Sequence, residues 1–79
     1  MRIDKYLKLS RLIKRRTVAN QACDAEKIFV NGRAVKASYD VKIGDIIEIN
    51  LGKNPLKVKV IEIKDHVLKD GANDLYEIV

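Results

Sequence analysis

Residues 2–22 read RIDKYLKLSRLIKRRTVANQA, and this stretch decides how the rest of the chain is arranged. At about 100° per residue, a helical wheel places the apolar side chains of Ile3, Tyr6 and Leu7 on one arc. The cations of the same segment share the opposite arc: Arg2, Lys5 and Lys8. The pattern therefore predicts a short amphipathic helix over residues 2–9 with a basic outer face. Because the wheel carries Leu12 onto that basic side, we expect the helix to end near Ser10 and the chain to turn.

A second helix is predicted from Arg16 to about Ala25. Its packed face should hold five small or apolar residues: Val18, Ala19, Ala22, Cys23 and Ala25. Thr17 is the nearest N-cap candidate, although Arg15 or Arg16 could occupy the boundary instead. Cations at a helix N-terminus oppose the helix dipole. A bound phosphate would relieve that conflict, because free N–H groups and guanidinium groups would both point at it.

The charge of this 79-residue chain is unevenly distributed, although its length predicts a single domain over residues 1–79. Residues 1–36 carry ten lysines and arginines against three acids, a net charge of +7, while residues 37–79 carry six against eight, a net charge of −2. Seven cations lie between residues 2 and 16, with Asp4 as the only acid among them. This asymmetry favours a polyanionic partner.

Several classes of protein are disfavoured by the composition. One cysteine excludes an internal disulfide and any multi-cysteine metal site, so we expect neither a metal nor a cofactor. No carboxylate pair, Ser-His-Asp set or phosphate-cradling glycine loop can be assembled, so the protein is not expected to be an enzyme. No apolar stretch approaches the roughly 18 residues of a membrane span. We therefore expect a cytoplasmic protein that does not bind membranes.

The remainder of the chain predicts strands, which makes the fold class α+β. Residues 27–35 are two β-prone runs around Asn31-Gly32, the strongest short signal for a hairpin. Residues 37–42 read as a loop, 43–45 as a turn and 46–51 as a strand. A turn at 52–55 precedes an alternating, half-exposed strand that begins at Leu56. Residues 65–74 should form a loop with at most one helical turn, and 75–79 a last short strand.

A few single residues have two readings each. Asp4 is either an ordinary first-turn acid or a residue that holds Arg2 or Lys8 in position. Tyr6 is expected in the core and not as a platform on which bases stack, and Cys23 as an inert buried thiol and not a nucleophile. His66 has no Cys or His partner for a metal in its polar segment, so we expect it on the surface. Asn20 and Gln21, on the second helix, could hydrogen-bond to adenine in a DNA major groove. Exposed amides on a helix usually have no such role.

Four motifs carry a resemblance to a known family: RIDKYL at 2–7, SRLIKRRT at 10–17, VNG at 30–32 and KASYDVKIGD at 36–45. They resemble the RNA-binding domain of the small-subunit ribosomal protein S-four type, over essentially the whole chain. A stand-alone domain of this length is similar to ribosome-associated quality-control factors related to the fifteen-kilodalton heat-shock protein family. The resemblance implies two short N-terminal helices packed on a small antiparallel sheet. It also implies a monomeric factor that binds large-subunit rRNA and tRNA on stalled large ribosomal subunits carrying peptidyl-tRNA. There, with other quality-control factors, it supports C-terminal tailing of the nascent chain.

The resemblance also implies which residues face RNA. The matching positions are Arg2, Lys5, Arg11, Lys14, Arg16 and Thr17. Three further cations join the predicted RNA-binding set, the first from the same basic run and the other two from just beyond the hairpin turn: Arg15, Arg33 and Lys36. Two positions depart from the family pattern. Arg15 stands where relatives often have Ser or Thr, and Glu26 stands where many have a glycine that closes the second helix. If residue 26 is left-handed, a glutamate there costs roughly 1 kcal/mol.

Two other classes of function stay open at this point. Two short basic helices joined by a turn also suit a helix-turn-helix protein that binds DNA. The basic surface could alternatively dock on an acidic protein. The DNA reading is weakened because the densest charge lies before the second helix, not along its outward face.

Overall fold

Two helices and a five-stranded antiparallel sheet share one hydrophobic core. The computed structural model describes residues 1–67 and 69–79. The helices are α1, Ile3–Leu9, and α2, Arg16–Asp24. The strands are β1, Ile28–Val30; β2, Arg33–Ala34; β3, Ile46–Ile49; β4, Leu56–Val60; and β5, Tyr76–Ile78. They lie in the order β2-β1-β3-β4-β5, and each neighbouring pair is antiparallel. The predicted α+β class, with helices first and strands after, is confirmed.

Helix α1 buries the face that the helical wheel predicts. Ile3, Tyr6 and Leu7 are all fully buried, and the Tyr6 hydroxyl donates a hydrogen bond to the Leu75 carbonyl at 2.6 Å. The helix ends where expected, with Ser10 as its C-cap. Arg11 then takes the left-handed conformation, with φ of 61°. This conformation turns the chain so that the next apolar residues approach the core from a new direction.

Helix α2 begins one residue before Thr17, the predicted N-cap, and fewer of its residues are buried than predicted. Arg15 is the N-cap, with extended backbone angles and no side-chain capping bond, so the assignment of Thr17 as the cap is wrong and the alternative boundary is right. Ala19, Ala22 and Cys23 are buried at i, i+3 and i+4 spacing. Two members of the predicted packed face are instead exposed: Val18, at 41%, lies at the edge of this stripe, and Ala25 is the C-cap beyond the last residue of the helix.

The predicted hairpin around Asn31-Gly32 is confirmed. Both turn residues have positive φ, 52° and 86°, which is the geometry that a two-residue hairpin turn requires. The Asn31 side chain also accepts a hydrogen bond from the Ile46 N–H at 3.0 Å and donates one to Asp45 at 3.2 Å. The hairpin tip is thereby tied to the turn that precedes β3.

The second half of the chain follows the prediction with two differences. Strand β3 ends at Ile49, two residues early, although the N–H of Asn50 still donates to the carbonyl of Lys27, the residue just before β1. Residues Lys69–Leu75 form a 3₁₀ helix, longer than the single turn predicted within loop 65–74. Leu68, in the same predicted loop, lies outside the described residues. Within the described residues, no helix is long and apolar enough to cross a membrane.

Candidate nucleic-acid interface

The two helices meet at a buried carboxylate, Asp4, which is only 2% exposed. Arg2 donates to it from Nε and Nη2, both at 3.3 Å, and Nη2 of Arg16 lies 3.4 Å from its Oδ1. Asn20 on α2 donates from Nδ2 at 3.4 Å, and the backbone N–H of Lys5 donates at 2.8 Å. One carboxylate of α1 is therefore shared by the two arginines that frame the helix junction.

The arginines also decide the ionisation of Asp4. Burial alone would raise the pKa of this carboxyl group. The hydrogen bonds from Arg16 and Asn20, the charge of Arg16 and the hydrogen bond from Arg2 outweigh burial and lower the pKa below its ordinary value of 3.8. Asp4 is consequently a carboxylate at neutral pH and acts only as an acceptor.

The loop over residues 37–41 holds the start of α1 in place. The Ile3 N–H donates to the Tyr39 carbonyl at 2.8 Å, and the Asp4 N–H donates to the Ala37 carbonyl at 3.3 Å. Arg2 pairs with Asp40 as an isolated antiparallel bridge. Two orphan donors of the first helical turn are thus satisfied by the KASYDVKIGD segment, which fixes where Arg2 and Asp4 stand.

Helix α2 presents an open N-terminus beside these arginines. Its N-cap, Arg15, forms no capping bond, and no acid occupies its first turn. The N–H groups of the first turn have no acceptor within the helix, so the positive end of the dipole faces outward. A cleft of about 480 Å³ opens here, and six residues line it: Arg2, Asp4, Arg16, Thr17, Asn20 and Gln21. We call it the Asp4 cleft. Its donors and charge suit an anion with several oxygens.

A second basic hollow lies beyond the other end of α1. It has a volume of about 550 Å³ and is lined by Lys8, Leu9, Arg11, Lys14 and Val67. None of its three cations forms an ion pair with the side chains that the structure describes. We call it the Lys8 basin. The left-handed turn at Arg11 brings the cations of α1 and of the following segment to one place, which the helical wheel alone does not do.

The predicted site residues do not all converge. Arg2, Arg16 and Thr17 line the Asp4 cleft, and Arg11 and Lys14 line the Lys8 basin. Lys5 lines neither hollow, and its Nζ lies 3.3 Å from Oδ1 of Asp65.

The remaining three predicted residues are exposed: Arg15, Arg33 and Lys36. Lys36 lines a different hollow, beside Asp24 and Glu26 at the end of α2, and Arg33 lines none of the three hollows described here. The structure thus separates the hairpin cations from the arginine pair at Asp4.

The sequence predicted one of the two arginine partners of Asp4 and missed the other. Of its two readings, the one in which it holds Arg2 is correct, but its second partner is Arg16 on the other helix, and Lys8 is not a partner. Asn20 donates a hydrogen bond to Asp4, and Gln21 lines the same cleft. A signal existed in the sequence, since Asp4 is the only acid among seven cations. The cross-helix pairing depends on the packing angle, which a sequence pattern does not contain.

The other single-residue predictions are confirmed by the structure. Cys23 is buried and unpaired, and burial raises the pKa of its thiol to about 11, with the charges of Asp4 and Asp24 adding to the effect. Tyr6 lies in the core, where burial raises the pKa of its hydroxyl group. His66 is exposed. None of the three side chains lines the Asp4 cleft or the Lys8 basin.

Comparison with known proteins agrees with this geometry. The S4 domain family matches residues 1–47, which contain both helices, the hairpin and the loop that holds α1. Among solved structures, heat shock protein 15 of Vibrio cholerae, described as trimeric, superposes with a TM-score of 0.92 at 29% identity. The match covers 100% of this chain and 81% of that one.

Two relatives are more similar in sequence. The RQC P-site tRNA stabilizing factor of Streptococcus pneumoniae is 52% identical over 100% of this chain and 90% of its own length. The protein of the same name in Bacillus subtilis is 47% identical over 100% of this chain and 92% of its own length. The chain therefore belongs to the S4 domain family and, within it, to the family of RQC P-site tRNA stabilizing factors.

Proposed function

We propose that this protein is an accessory factor of the large ribosomal subunit that binds rRNA and P-site tRNA during ribosome-associated quality control. On a stalled large subunit it holds the peptidyl-tRNA in place, and so supports C-terminal tailing of the nascent chain. The names of the relatives from Streptococcus and Bacillus support this role. The structural support is the pair of guanidinium groups at the open N-terminus of α2.

The Asp4 cleft suits a nucleic-acid phosphate better than a small metabolite. Arg2 and Arg16 are about half exposed, at 51% and 48% of their side chains, so an anion can reach them from solvent. The backbone N–H groups of the α2 first turn lie beside them. A planar guanidinium can bind two phosphate oxygens at once, and a helix N-terminus adds further donors. The arrangement can therefore fix one phosphate of an RNA backbone at a defined position.

The Lys8 basin extends the basic surface beyond that single phosphate. Its three cations are exposed and make no ion pair with the described side chains, so they can neutralise further phosphates without first breaking a contact. We assign them to the sequence-independent part of the affinity. We assign Lys5, Arg15, Arg33 and Lys36 to the same sequence-independent part of the affinity, but Lys5 must first release Asp65.

A helix-turn-helix mode of binding duplex DNA fits the structure less well. A recognition helix lies in the major groove and carries base-reading and phosphate-binding side chains along its outward face. Residues 17–24 of α2 contain no lysine or arginine. The charge lies at the start of α2 and around α1, so the body of α2 offers no cation to a major groove.

The remaining parts of the proposal follow from this role. The protein acts by binding and not by catalysis, needs no cofactor, works in the cytoplasm on ribosomes, and binds as a monomer formed by one domain over residues 1–79. The trimeric heat shock protein 15 structure makes the oligomeric state worth measuring. Light scattering on a size-exclusion column should give a mass near the 9.0 kDa of one chain.

The proposal is tested by co-sedimentation in sucrose gradients. The protein is mixed with large ribosomal subunits that either carry or lack P-site peptidyl-tRNA. We expect it to sediment with the subunits, more strongly when the tRNA is present, and to be released by RNase but not by excess duplex DNA. Equal release by duplex DNA would favour the helix-turn-helix alternative. Retention on protein fractions after RNase treatment would favour docking on an acidic protein.

A further inference from the structure

The most basic part of the surface is built around a buried acid. Asp4 sits among seven cations between residues 2 and 16 and cancels one of their charges. A surface that bound RNA by charge density alone would bind better without it. An acid that only complements the dipole of α1 could remain exposed in the first turn. Asp4 is instead 2% exposed and directed at the neighbouring helix.

The contacts of Asp4 leave the two arginines with free donors on one side. A guanidinium group has five N–H donors. Arg2 gives Asp4 one from Nε and one from Nη2, which leaves three. Arg16 approaches Asp4 through Nη2, which leaves N–H groups on its other nitrogens for other acceptors. Both arginines line the Asp4 cleft, so the N–H groups that Asp4 does not take are available to an anion bound there.

We propose that Asp4 is a positioning residue of the RNA site: it holds the guanidinium groups of Arg2 and Arg16 so that both can bind the same RNA phosphate. This inference rests on the proposed function. Asp4 does not touch the RNA in this arrangement. It acts by removing the rotamer freedom that two long side chains would otherwise lose on binding, a cost of about threefold to tenfold in affinity for each such side chain.

Replacing Asp4 by Asn separates this role from a purely electrostatic one, because the two predict opposite signs. Asp4→Asn raises the net charge from +5 to +6, so a diffuse basic patch predicts tighter binding. A positioning residue predicts weaker binding, because the amide N–H₂ faces the guanidinium groups and no longer holds both of them. We expect the affinity for large-subunit RNA to fall about fivefold to tenfold.

A matched control is available in Asp65, whose exposed carboxylate lies 3.3 Å from Lys5. Asp65→Asn changes the net charge by the same amount but leaves the arginine pair untouched. We expect this variant to bind as tightly as the wild type or slightly more tightly. The number of phosphates engaged gives a second readout: the slope of log affinity against log salt should become shallower by about 1 in Asp4→Asn. Partial unfolding would lower the apparent affinity without changing that slope.

Asp4→Glu covers the case in which Asp4→Asn does not fold. It keeps the net charge at +5 and moves the carboxylate outward by one methylene, so any loss of affinity comes from position and not from charge. We expect a loss of about threefold. If folded Asp4→Asn binds as tightly as Asp65→Asn, or if Asp4→Glu binds like the wild type, the positioning role is wrong while the proposed function stands. If the wild type itself does not bind large subunits, the proposed function fails.

Discussion

Removal of the Arg16 guanidinium should weaken RNA binding strongly while changing the stability of the fold very little. Arg16 is the first residue of α2, about half exposed, and its Nη2 lies 3.4 Å from Oδ1 of Asp4. A charge-assisted contact with a phosphate, fixed by the helix N-terminus, is worth about 1.5–3 kcal/mol. Because 1.4 kcal/mol corresponds to a factor of ten, Arg16→Ala should weaken association with large subunits at least tenfold.

The effect of Arg16→Ala on stability should be much smaller. Asp4 keeps its hydrogen bonds from Arg2, Asn20 and the Lys5 N–H. A half-exposed ion pair is screened by solvent and contributes less than about 1 kcal/mol. For a domain of this size, 1 kcal/mol corresponds to a change in melting temperature of about 4–8 °C. We therefore expect the melting temperature of Arg16→Ala to fall by no more than a few degrees.

Two matched variants make the Arg16 comparison decisive. Arg16→Lys keeps the charge but loses the planar group that binds two oxygens, so it should recover only part of the affinity. Lys8 lies on α1 in the Lys8 basin, and Lys8→Ala should reduce the affinity by little more than the loss of one screened charge. The assay is gradient co-sedimentation with thermal melting of all three variants side by side. If Lys8→Ala proves as damaging as Arg16→Ala, the charges act as a diffuse patch and the reasoning is refuted.

Three further predictions concern the fold. Cys23→Ala should bind RNA like the wild type, and thiol labelling of the native protein should be slow because the thiol is buried and has a raised pKa; rapid labelling would contradict the packing. Glu26 has φ of 58°, so Glu26→Gly should raise the free energy of unfolding by about 0.5–1 kcal/mol, whereas Gln21→Gly in the middle of α2 should lower it by about as much. Because the folded pKa of Asp4 lies below its ordinary value of 3.8, its contribution to stability is present above that pH and is lost as pH falls further. Urea midpoints between pH 6 and 2.5 should therefore fall less steeply in Asp4→Asn, and equal slopes would show that Asp4 is not a source of the acid sensitivity.

The parts of the fold that could be predicted are those in which the pattern acts locally. The apolar arc of Ile3, Tyr6 and Leu7 follows from helical geometry alone, and the burial of all three confirms it. The hairpin follows from the positive φ that Asn31 and Gly32 tolerate. The end of α1 could be predicted because a continued helix would place the apolar side chain of Leu12 on the basic face. In each case the residues whose pattern was used for the prediction are the same residues that form the element.

The parts that could not be predicted depend on how separate elements pack. Thr17 has a capping side chain, yet α2 begins one residue earlier, because Arg15 already has the extended backbone of a cap. Val18 has a core-like side chain, yet it lies beside the narrow stripe through which α2 meets α1. The pairing of Asp4 with Arg16 joins residues 12 positions apart on different helices, and only the angle between the helices brings them together. The predicted α+β class survives these errors because none of them changes which face of an element is buried.

The salt dependence of binding tests the central claim most directly, namely that arginine and lysine side chains around two short helices hold RNA by its phosphates. The affinity of the wild-type protein for large ribosomal subunits carrying P-site tRNA should be measured between 50 and 300 mM salt, roughly the range in which counterion release is resolved. With four to six phosphates neutralised, log affinity should fall linearly with log salt, with a slope of about −3 to −5. An affinity that does not change over this range would show that phosphate contacts do not carry the binding, and would contradict the account.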